Sequence, residues 1–293
     1  MTEKTRGTIE MTTAMAISGT IGVFVVLSGQ PVLSVVFWRC AFGALTLLAI
    51  CTALGLLRAE AIGRRQTAWA ALGGIAIVAN WLLLFAAFPR ASISIATAVY
   101  NTQPFMLVAL GAMFFGERLT PTKLGWLAVA FAGMLMIVQA KSGTGTDYFT
   151  GILMALGAAF FYAIAAIVAK RLKGVPPHLI ALVQVAVGVI MLAPFADFTA
   201  LPADAATWAL LVAIGVVHTG LMYILLYGAI QKLPTNLVGA LSFIYPVVAI
   251  LADFVVFGHR LQPLQMIGAA AILVAAAGMT LGWSLTRQRP ARA

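Results

Sequence analysis

The sequence has 293 residues, of which 62% are hydrophobic and only 9% are charged, and its formal net charge is +10. A soluble domain carries about 25% charged residues, so this composition excludes a chain whose whole surface faces water. The excess of Lys and Arg does not indicate nucleic-acid binding, because the basic residues occupy short connections beside apolar runs, where membrane topology explains them. The sequence therefore predicts an integral membrane protein.

Ten apolar runs follow one another along the chain, and a run of about 20 residues can cross a bilayer as a helix. The connections between them are short, and none could hold a domain outside the membrane. The first run lacks a small-residue cleavage site and is followed by further spans, so we expect a retained helix and not a signal peptide. The predicted spans are residues 9–28, 34–56, 68–88, 91–115, 123–140, 151–170, 178–197, 207–230, 235–257 and 263–285.

The basic residues are distributed unevenly between alternate connections. Of the 18 Lys and Arg residues, Arg90, Lys141 and Arg260 lie on one side of the predicted spans, and Arg39 lies inside a span. The positive-inside rule assigns the richer side, which includes both termini, to the cytoplasm. That side holds Lys4, Arg6, Arg58, Arg64, Arg65, Arg118, Lys123, Lys170, Arg171, Lys173, Lys232, Arg287, Arg289 and Arg292.

A short polar turn occurs twice, 142 residues apart: FFGERLTP closes the fourth predicted span, and FGHRLQP closes the ninth. The same shift aligns Pro104 with Pro246, the two prolines that lie deep inside predicted spans. Each half of the chain would contain five helices. Because five is an odd number, the two halves would enter the membrane in opposite directions.

We therefore predict an all-α integral membrane protein with ten transmembrane helices, arranged as two inverted-topology five-helix repeats. Such repeats are typical of secondary transporters, which bind their substrate near the membrane midplane between the repeats. The predicted domains are the first repeat at residues 1–140, a polar linker at residues 141–150 and the second repeat at residues 151–293.

The chain has two five-helix halves, Arg39 within FWRCAFGAL of the second span, and GERLTP after the fourth span. In these features it resembles the EamA-type members of the drug/metabolite transporter superfamily. The resemblance covers nearly the whole chain. Within that superfamily, the sequence is most similar to the YddG-like exporters of aromatic amino acids and paraquat. The resemblance implies a ten-helix exporter of the bacterial inner membrane. Its central cavity would be formed mainly by the first, third, fourth, sixth, eighth and ninth helices.

Three features depart from the family pattern. Tyr162 stands in the sixth span where many members have Trp, and the Trp often found in the first span is absent from MAISGTIGVF. Gln184 occupies the depth in the second half that corresponds to Arg39 in the first half. These departures are compatible with the superfamily but leave the identity of the substrate open.

Polar and aromatic side chains concentrate near the middle of several predicted spans. A pocket for a small amphipathic molecule needs apolar walls with a few convergent polar groups, so we predict a substrate cavity at this depth. The alternative is that the same side chains form interhelical hydrogen bonds and aromatic packing. The candidate cavity residues are Asn80, Trp81, Tyr100, Asn101, Gln103, Tyr162, His218, Met222, Tyr223, Ser242 and Tyr245.

Ionisable residues inside the spans need separate explanations. His218 lies near mid-membrane, where ionisable groups are costly and often functional, although a neutral histidine can also serve a structural role. Arg39 lies nearer the outer face, where we expect it to snorkel or to pack between helices. Asp253, near the outer end of the ninth span, could pair with Arg260, and a role in proton coupling is the less favoured explanation.

A proline inside a helix removes one backbone hydrogen bond and displaces the carbonyl four residues earlier. For Pro104 and Pro246 these carbonyls belong to Tyr100 and Ser242. Because the two prolines occupy matching depths in the two halves, we predict that they are hinges. A packing kink is the alternative.

The sequence predicts neither catalytic residues nor a cofactor. It lacks the P-loop pattern for ATP, and it places no carboxylate at the membrane midplane to relay protons. His178, His218 and His259 fall at different depths of different spans and cannot share a metal, and an intramembrane enzyme would need a catalytic cluster that is absent here. We therefore predict gradient-driven efflux by alternating access.

The predicted cargo is a neutral amino acid, aromatic or other, accepted with broad specificity. Besides this substrate and the lipid bilayer, we expect no partner. An organic cation or drug is the main alternative, since its charge could meet the faces of Trp81 and the tyrosines. Nucleosides and sugar derivatives remain open on the same fold. Phosphorylated cargo is disfavoured because Arg39 is the single basic residue within the spans.

Overall fold

The computed structural model describes residues 1–58, 60–91, 96, 99–117, 120–138, 146–199, 201–258 and 263–283. The regular elements in this part of the chain are all helices. Arg118 and Arg260 of the repeated turns lie outside the described residues, as do positions 141–145 of the predicted linker. In chain order the helices are α1 (Glu3–Ser28), α2 (Val32–Ala53), α3 (Arg64–Ala91), α4 (Gln103–Phe115), α5 (Pro121–Val138), α6 (Thr146–Arg171), α7 (Pro177–Leu192), a 3₁₀ turn (Ala193–Phe195), α8 (Ala205–Gly215), a π-helix (Val216–Leu221), α9 (Met222–Lys232), α10 (Thr235–Ser242), α11 (Ile244–Phe257) and α12 (Pro263–Leu281).

Within the described residues, seven helical segments are long and apolar enough to cross a membrane. Three shorter apolar helices, Gln103–Phe115, Pro121–Met136 and Met266–Met279, accompany them. This agrees with a multi-pass membrane protein, while the number of ten spans stays a prediction. The seven segments are Glu3–Ser28, Val32–Ala53, Arg64–Ala87, Asp147–Arg171, Pro177–Phe195, Ala205–Lys232 and Thr235–Phe257.

The glycines of the two repeated turns end their helices in the same way. Gly116 follows α4 with a φ of 63°, and Gly258 follows α11 with a φ of 71°. Both values lie in the left-handed region, which glycine adopts without steric cost and which commonly terminates helices. The Gly116 N–H donates to the Ala112 carbonyl, and the Gly258 N–H donates to the Phe254 carbonyl, which is the matching position. The repeated sequence thus produces a repeated helix end.

The main helix contacts join elements from the two halves of the chain, and they follow a symmetric pattern. α2 packs against α7, α4 against α10 and α5 against α12. α1 contacts α9 and α11, while α6 makes the corresponding contacts with α3 and α4. In the same way, the contact between α2 and α8 corresponds to the contact between α7 and α3. Each half therefore covers the apolar faces of the other, and the core is shared between them.

Two helices are interrupted at corresponding depths. A turn at residues 101–102 precedes α4, and Phe243 separates α10 from α11. Pro104 is the second residue of α4, and Pro246 is the third residue of α11. Each proline therefore lies just after a break between two helical segments, and its missing N–H removes the bond to the carbonyl four residues earlier that would join them.

Candidate functional site

Four tyrosines from four different helical segments lie close together in the interior. The ring centroids of Tyr100 and Tyr162 are 6.3 Å apart in an edge-on arrangement. Tyr223 and Tyr245 are within electrostatic range of Tyr100. We call these four residues the tyrosine cluster. It joins residues of the first half, before α4, to residues of α6, α9 and α11 in the second half, so it lies where the two halves meet.

Asn80 and Trp81 of α3 border the tyrosine cluster. The Asn80 Nδ2 donates to the Tyr100 hydroxyl at 3.3 Å and to the Ala158 carbonyl of α6 at 2.7 Å. These bonds satisfy the side-chain amide, which a buried position requires. The Trp81 ring meets the Tyr223 ring edge-on at 5.8 Å. The result is an aromatic surface with hydroxyl and amide groups at its edges.

Arg39 of α2 also contacts this surface. It is only 3% exposed. Its Nε donates to Thr219 Oγ1 at 2.9 Å, and its Nη2 donates to the His218 carbonyl oxygen at 3.3 Å. Its Cζ lies 4.0 Å from the centroid of the Trp81 ring and 5.9 Å from that of Tyr223. Arg39 therefore connects the tyrosine cluster to the π-helix.

Of the two expectations for Arg39, the structure shows packing between helices and not snorkelling, because the π-helix provides hydrogen-bond acceptors inside the protein. These contacts offset part of the cost of burial. A desolvated cation–π contact is worth about 2 kcal/mol, and each hydrogen bond from a charged group about 1.5–3 kcal/mol. An uncompensated ion in a low-dielectric interior costs several kcal/mol and is normally paired. In the part of the chain that the structure describes, no carboxylate forms an ion pair with Arg39.

His218 lies in the π-helix, and its ring contacts α1. Its Nε2 is 2.9 Å from Thr20 Oγ1, and its Nδ1 is 3.4 Å from the Ala213 carbonyl oxygen. The Phe24 ring lies 4.7 Å away, centroid to centroid. Both ring nitrogens have hydrogen-bond partners. This supports the structural role of His218 over the functional one. The His218 ring thus joins the π-helix to α1.

The remaining predicted cavity residues lie along the interrupted helices. Asn101 is buried in the turn before α4, and Met222 is buried at the start of α9. The Ser242 hydroxyl donates to the Val238 carbonyl at 2.8 Å within α10. The buried Gln103 Oε1 has no hydrogen-bond partner among the described residues. Gln103 therefore has an acceptor that a ligand could use.

Tyr227 and Thr219, two polar residues beside the site, were not identified from the sequence. The Tyr227 hydroxyl donates to the Oε1 of buried Gln184, and the Tyr227 ring lies 5.2 Å from that of Tyr223. Thr219, the partner of Arg39, also donates to the Ile214 carbonyl at 3.0 Å. The spacing of Tyr223 and Tyr227 was a usable signal, because residues four apart share one face of a helix.

Glycines bring α2 close to the π-helix. A Cβ at Gly43 would lie 2.7 Å from Thr219 Cγ2, closer than side chains tolerate. We expect Gly43→Val to cost about 1–3 kcal/mol through overpacking and to lower the thermal unfolding temperature in detergent by a few degrees. Gly22→Val of α1 is the matched control, because a Cβ there meets nothing within 4 Å. Equal unfolding temperatures for the two variants would contradict the close packing.

Polar contacts also connect the halves at the helix ends that the positive-inside rule assigns to the cytoplasm. Lys170 Nζ, near the end of α6, lies 2.6 Å from Glu117 Oε1, just after α4. The Thr235 backbone N–H, at the start of α10, donates to both Glu117 carboxylate oxygens, at 3.2 and 2.9 Å. We call Glu117, Lys170 and Thr235 the end cluster. A second ion pair, between Lys232 of α9 and Glu10 of α1, measures 2.6 Å.

The Glu117 carboxyl is ionised at neutral pH. Burial raises its pKa, but the hydrogen bonds from Lys170 and Thr235 lower it more, and the pKa lies below its ordinary value of 4.5. A lowered pKa means that the stabilisation is complete above about pH 4.5 and is lost only as the pH falls below that value. The end cluster is therefore intact throughout the physiological range.

This arrangement of paired helices around a polar and aromatic interior is that of a transport protein, and the sequence comparisons identify the family. The chain belongs to the EamA-like transporter family, whose model matches residues 5–139 and again residues 149–281. Members of this family are transporters and not enzymes. The prediction of a non-enzymatic membrane transporter is thereby confirmed.

Several proteins share this sequence pattern. An "Uncharacterized transporter YxxF" of Bacillus subtilis is 31% identical over 95% of this chain and 90% of its own length. The "Threonine/homoserine exporter RhtA" of Escherichia coli K12 is 26% identical over 71% of this chain and 69% of its own. A "Probable amino-acid metabolite efflux pump" of Salmonella typhimurium is 28% identical over 61% of this chain and 64% of its own.

The fold matches a solved crystal structure that is 21% identical in sequence. The two superimpose with a TM-score of 0.83 over 97% of this chain and 98% of the other. At this identity the match describes the fold and carries no information on the cargo.

Proposed function

We propose that this transporter exports neutral amino acids across the bacterial inner membrane, with broad specificity that favours aromatic side chains. The tyrosine cluster with Asn80 and Trp81 carries this proposal. Its aromatic faces suit an apolar side chain, and its hydroxyl and amide groups suit the polar end of the same molecule. The names of the relatives from Escherichia coli and Salmonella support amino-acid cargo. The aromatic walls support the closer likeness to YddG-like exporters.

The proposed mechanism is alternating access between two inverted five-helix repeats, within ten spans, with both termini in the cytoplasm. Three observations support the repeats: the family model matches two successive segments, the packing pairs are symmetric, and Gly116 and Gly258 end matching helices alike. The uneven distribution of Lys and Arg supports the orientation. In this mechanism the halves rock about a site located between them.

An organic cation is a weaker candidate for the cargo. The faces of Trp81 and Tyr223 that could attract a cation already contact the Arg39 guanidinium. A second positive charge at this place would be repelled by Arg39 in a low-dielectric interior. A cargo with a carboxylate avoids this repulsion.

We expect purified protein in liposomes to exchange labelled phenylalanine and tryptophan fastest, and methionine, leucine and threonine measurably. Apolar contacts discriminate by only about 1–3 kcal/mol per methylene-sized difference, so smaller side chains should compete without being excluded. Counterflow with each amino acid, with unlabelled competitors and with paraquat, measures this range. Protein-free liposomes serve as the control.

Two results would contradict the proposal. Transport of paraquat without competition from any amino acid would favour the cation alternative. Transport confined to one aromatic amino acid would show a narrower site. Repeating the counterflow with and without a pH gradient tests the gradient-driven mechanism, for which we expect no requirement for protons.

A further inference from the structure

Arg39 is a buried cation whose charge the described residues do not neutralise. Arginine stays protonated even in buried positions, so its charge is permanent. Its polar contacts, the Thr219 hydroxyl and the His218 carbonyl, are neutral. The described residues around this cation therefore provide no anion that balances its charge.

The guanidinium keeps further N–H donors of the kind that binds a carboxylate. Of the five N–H donors of an arginine, the one on Nε and one on Nη2 are engaged, by Thr219 and by the His218 carbonyl. The other three belong to the two terminal nitrogens. These nitrogens form the fork that binds a carboxylate through two parallel hydrogen bonds.

The surroundings of the fork suit the rest of such a ligand. Trp81 stacks against the guanidinium, and Tyr223 lies next to it and leads to the remaining tyrosines. A carboxylate held by Arg39 would thus place an attached aromatic or aliphatic group beside the tyrosine cluster. A single planar cation matches a monocarboxylate better than a phosphate dianion, which requires more positive charge.

We propose that Arg39 binds the carboxylate of the transported molecule and selects cargo that carries one. This inference rests on the proposed amino-acid export and adds the residue that recognises the common part of all amino acids. The threonine and the carbonyl of the π-helix fix the orientation of the guanidinium, and Trp81 fixes its plane. A fixed donor fork binds a carboxylate without first having to be ordered.

Three related probes separate the carboxylate from the ammonium group: phenylalanine, 3-phenylpropanoate and phenethylamine. Binding to purified protein in detergent is measured by titration calorimetry. We expect the wild type to bind the two carboxylates at least about tenfold more tightly than phenethylamine. In Arg39→Gln, the affinity for both carboxylates should fall at least about tenfold, while that for phenethylamine should stay the same or rise, because the repulsion from Arg39 is removed. Arg39→Lys, which keeps the charge but lacks the fork, should fall between the two.

Arg171→Gln is the matched control, because Arg171 stacks on Trp69 at 4.7 Å at the end of α6, away from the tyrosine cluster. Its affinities should equal those of the wild type. An equal loss of affinity for all three probes in Arg39→Gln would assign Arg39 to helix packing and overturn the proposal. The wild type alone can also overturn the proposal, even if the variant does not fold. It does so if it binds phenethylamine as tightly as phenylalanine, or if it binds neither carboxylate. If the wild type binds 3-phenylpropanoate but not phenylalanine, the role of Arg39 in carboxylate binding is upheld and the amino-acid cargo is refuted.

Discussion

Glu117→Gln is expected to shift the transporter toward the state that is open to the cytoplasm. The end cluster joins Glu117 of the first half to Lys170 and Thr235 of the second, at the helix ends assigned to the cytoplasm. Alternating access requires the halves to separate at this end when the site opens inward. The cluster would then have to break, so weakening it favours the open state.

The size of the shift follows from the burial of the pair. The side chains of Lys170 and Glu117 are 14% and 17% exposed. Removing one partner of a fully buried pair costs about 3–5 kcal/mol, and partial exposure reduces this to about 2 kcal/mol. A change of about 2 kcal/mol alters the ratio of two states about 30-fold. Glutamine still accepts a hydrogen bond from Thr235, so the cluster is weakened without being abolished.

Cysteine labelling measures this shift. A cysteine is introduced at Val238 of α10, and a membrane-impermeant maleimide is applied from the cytoplasmic side. Val238 is buried in the structure, and so are the free native cysteines Cys40 and Cys51. Arg6→Gln is the control, because the pair of Arg6 with Glu10 lies within α1 and does not cross between the halves. Labelling that is no faster in Glu117→Gln than in Arg6→Gln would remove the end cluster from the gating mechanism.

Loss of stability must be distinguished from opening of the gate. In Glu117→Gln, Lys170 keeps its charge without a carboxylate, and this destabilises the protein. In the double variant Glu117→Gln, Lys170→Gln, no unpaired charge remains, so its unfolding temperature should return toward that of the wild type. Its labelling should nevertheless stay fast, because the contact between the halves is still missing. Labelling that recovers together with stability would indicate local unfolding instead of gating.

The sequence predicts the helices and their ends well, because these depend on local chemistry. Runs of apolar residues and Gly–Pro turns act within one segment, and Gly116 and Gly258 end their helices as the repeated turn indicates. The depth of a residue in the membrane also follows from its place in a run. All four residues of the tyrosine cluster were predicted as cavity residues from their depth in the spans alone.

The direction of a side chain and the identity of its distant partner are not local. Arg39 turns inward because the π-helix presents the Thr219 hydroxyl and the His218 carbonyl, and apolar periodicity does not distinguish a π-turn from an α-turn. Glu117 and Lys170 are 53 positions apart and meet only because α4 packs against α6. Such partners become visible once the packing of the helices is known.

Pro104→Ala and Pro246→Ala are each expected to slow transport while leaving the protein folded. The turn at residues 101–102 and the turn at Phe243 interrupt two helices at corresponding depths, directly before the prolines. The Phe243 N–H, for example, reaches the Ala240 carbonyl at 3.3 Å, a bond that spans three residues instead of four. Alanine restores an N–H that can bond to the carbonyl four residues earlier, at Tyr100 or Ser242. Each substitution therefore favours one continuous, straighter helix.

The interruptions are placed where bending one helix would move the proposed substrate site. Tyr100 precedes one break, and Tyr245 follows the other, so both breaks adjoin the tyrosine cluster. Pro104 also packs against α10, since a Cβ at Gly239 would lie 3.3 Å from Pro104 Cβ. One restored hydrogen bond is worth about 1 kcal/mol, which changes the ratio of two conformations about fivefold. We expect a decrease of that order in the rate of counterflow.

Pro177→Ala tests whether any proline would have the same effect. Pro177 is the first residue of α7, where proline interrupts no hydrogen bond, so counterflow in this variant should match the wild type. Cysteine labelling at the two ends of the helices should show Pro104→Ala and Pro246→Ala each biased toward one facing. The two biases should be opposite if the repeats are inverted as proposed, since each proline would then serve the gate of its own side. If both variants transport and label as the wild type does, the prolines only shape the packing, and the opening must be assigned to rigid movement of the two halves.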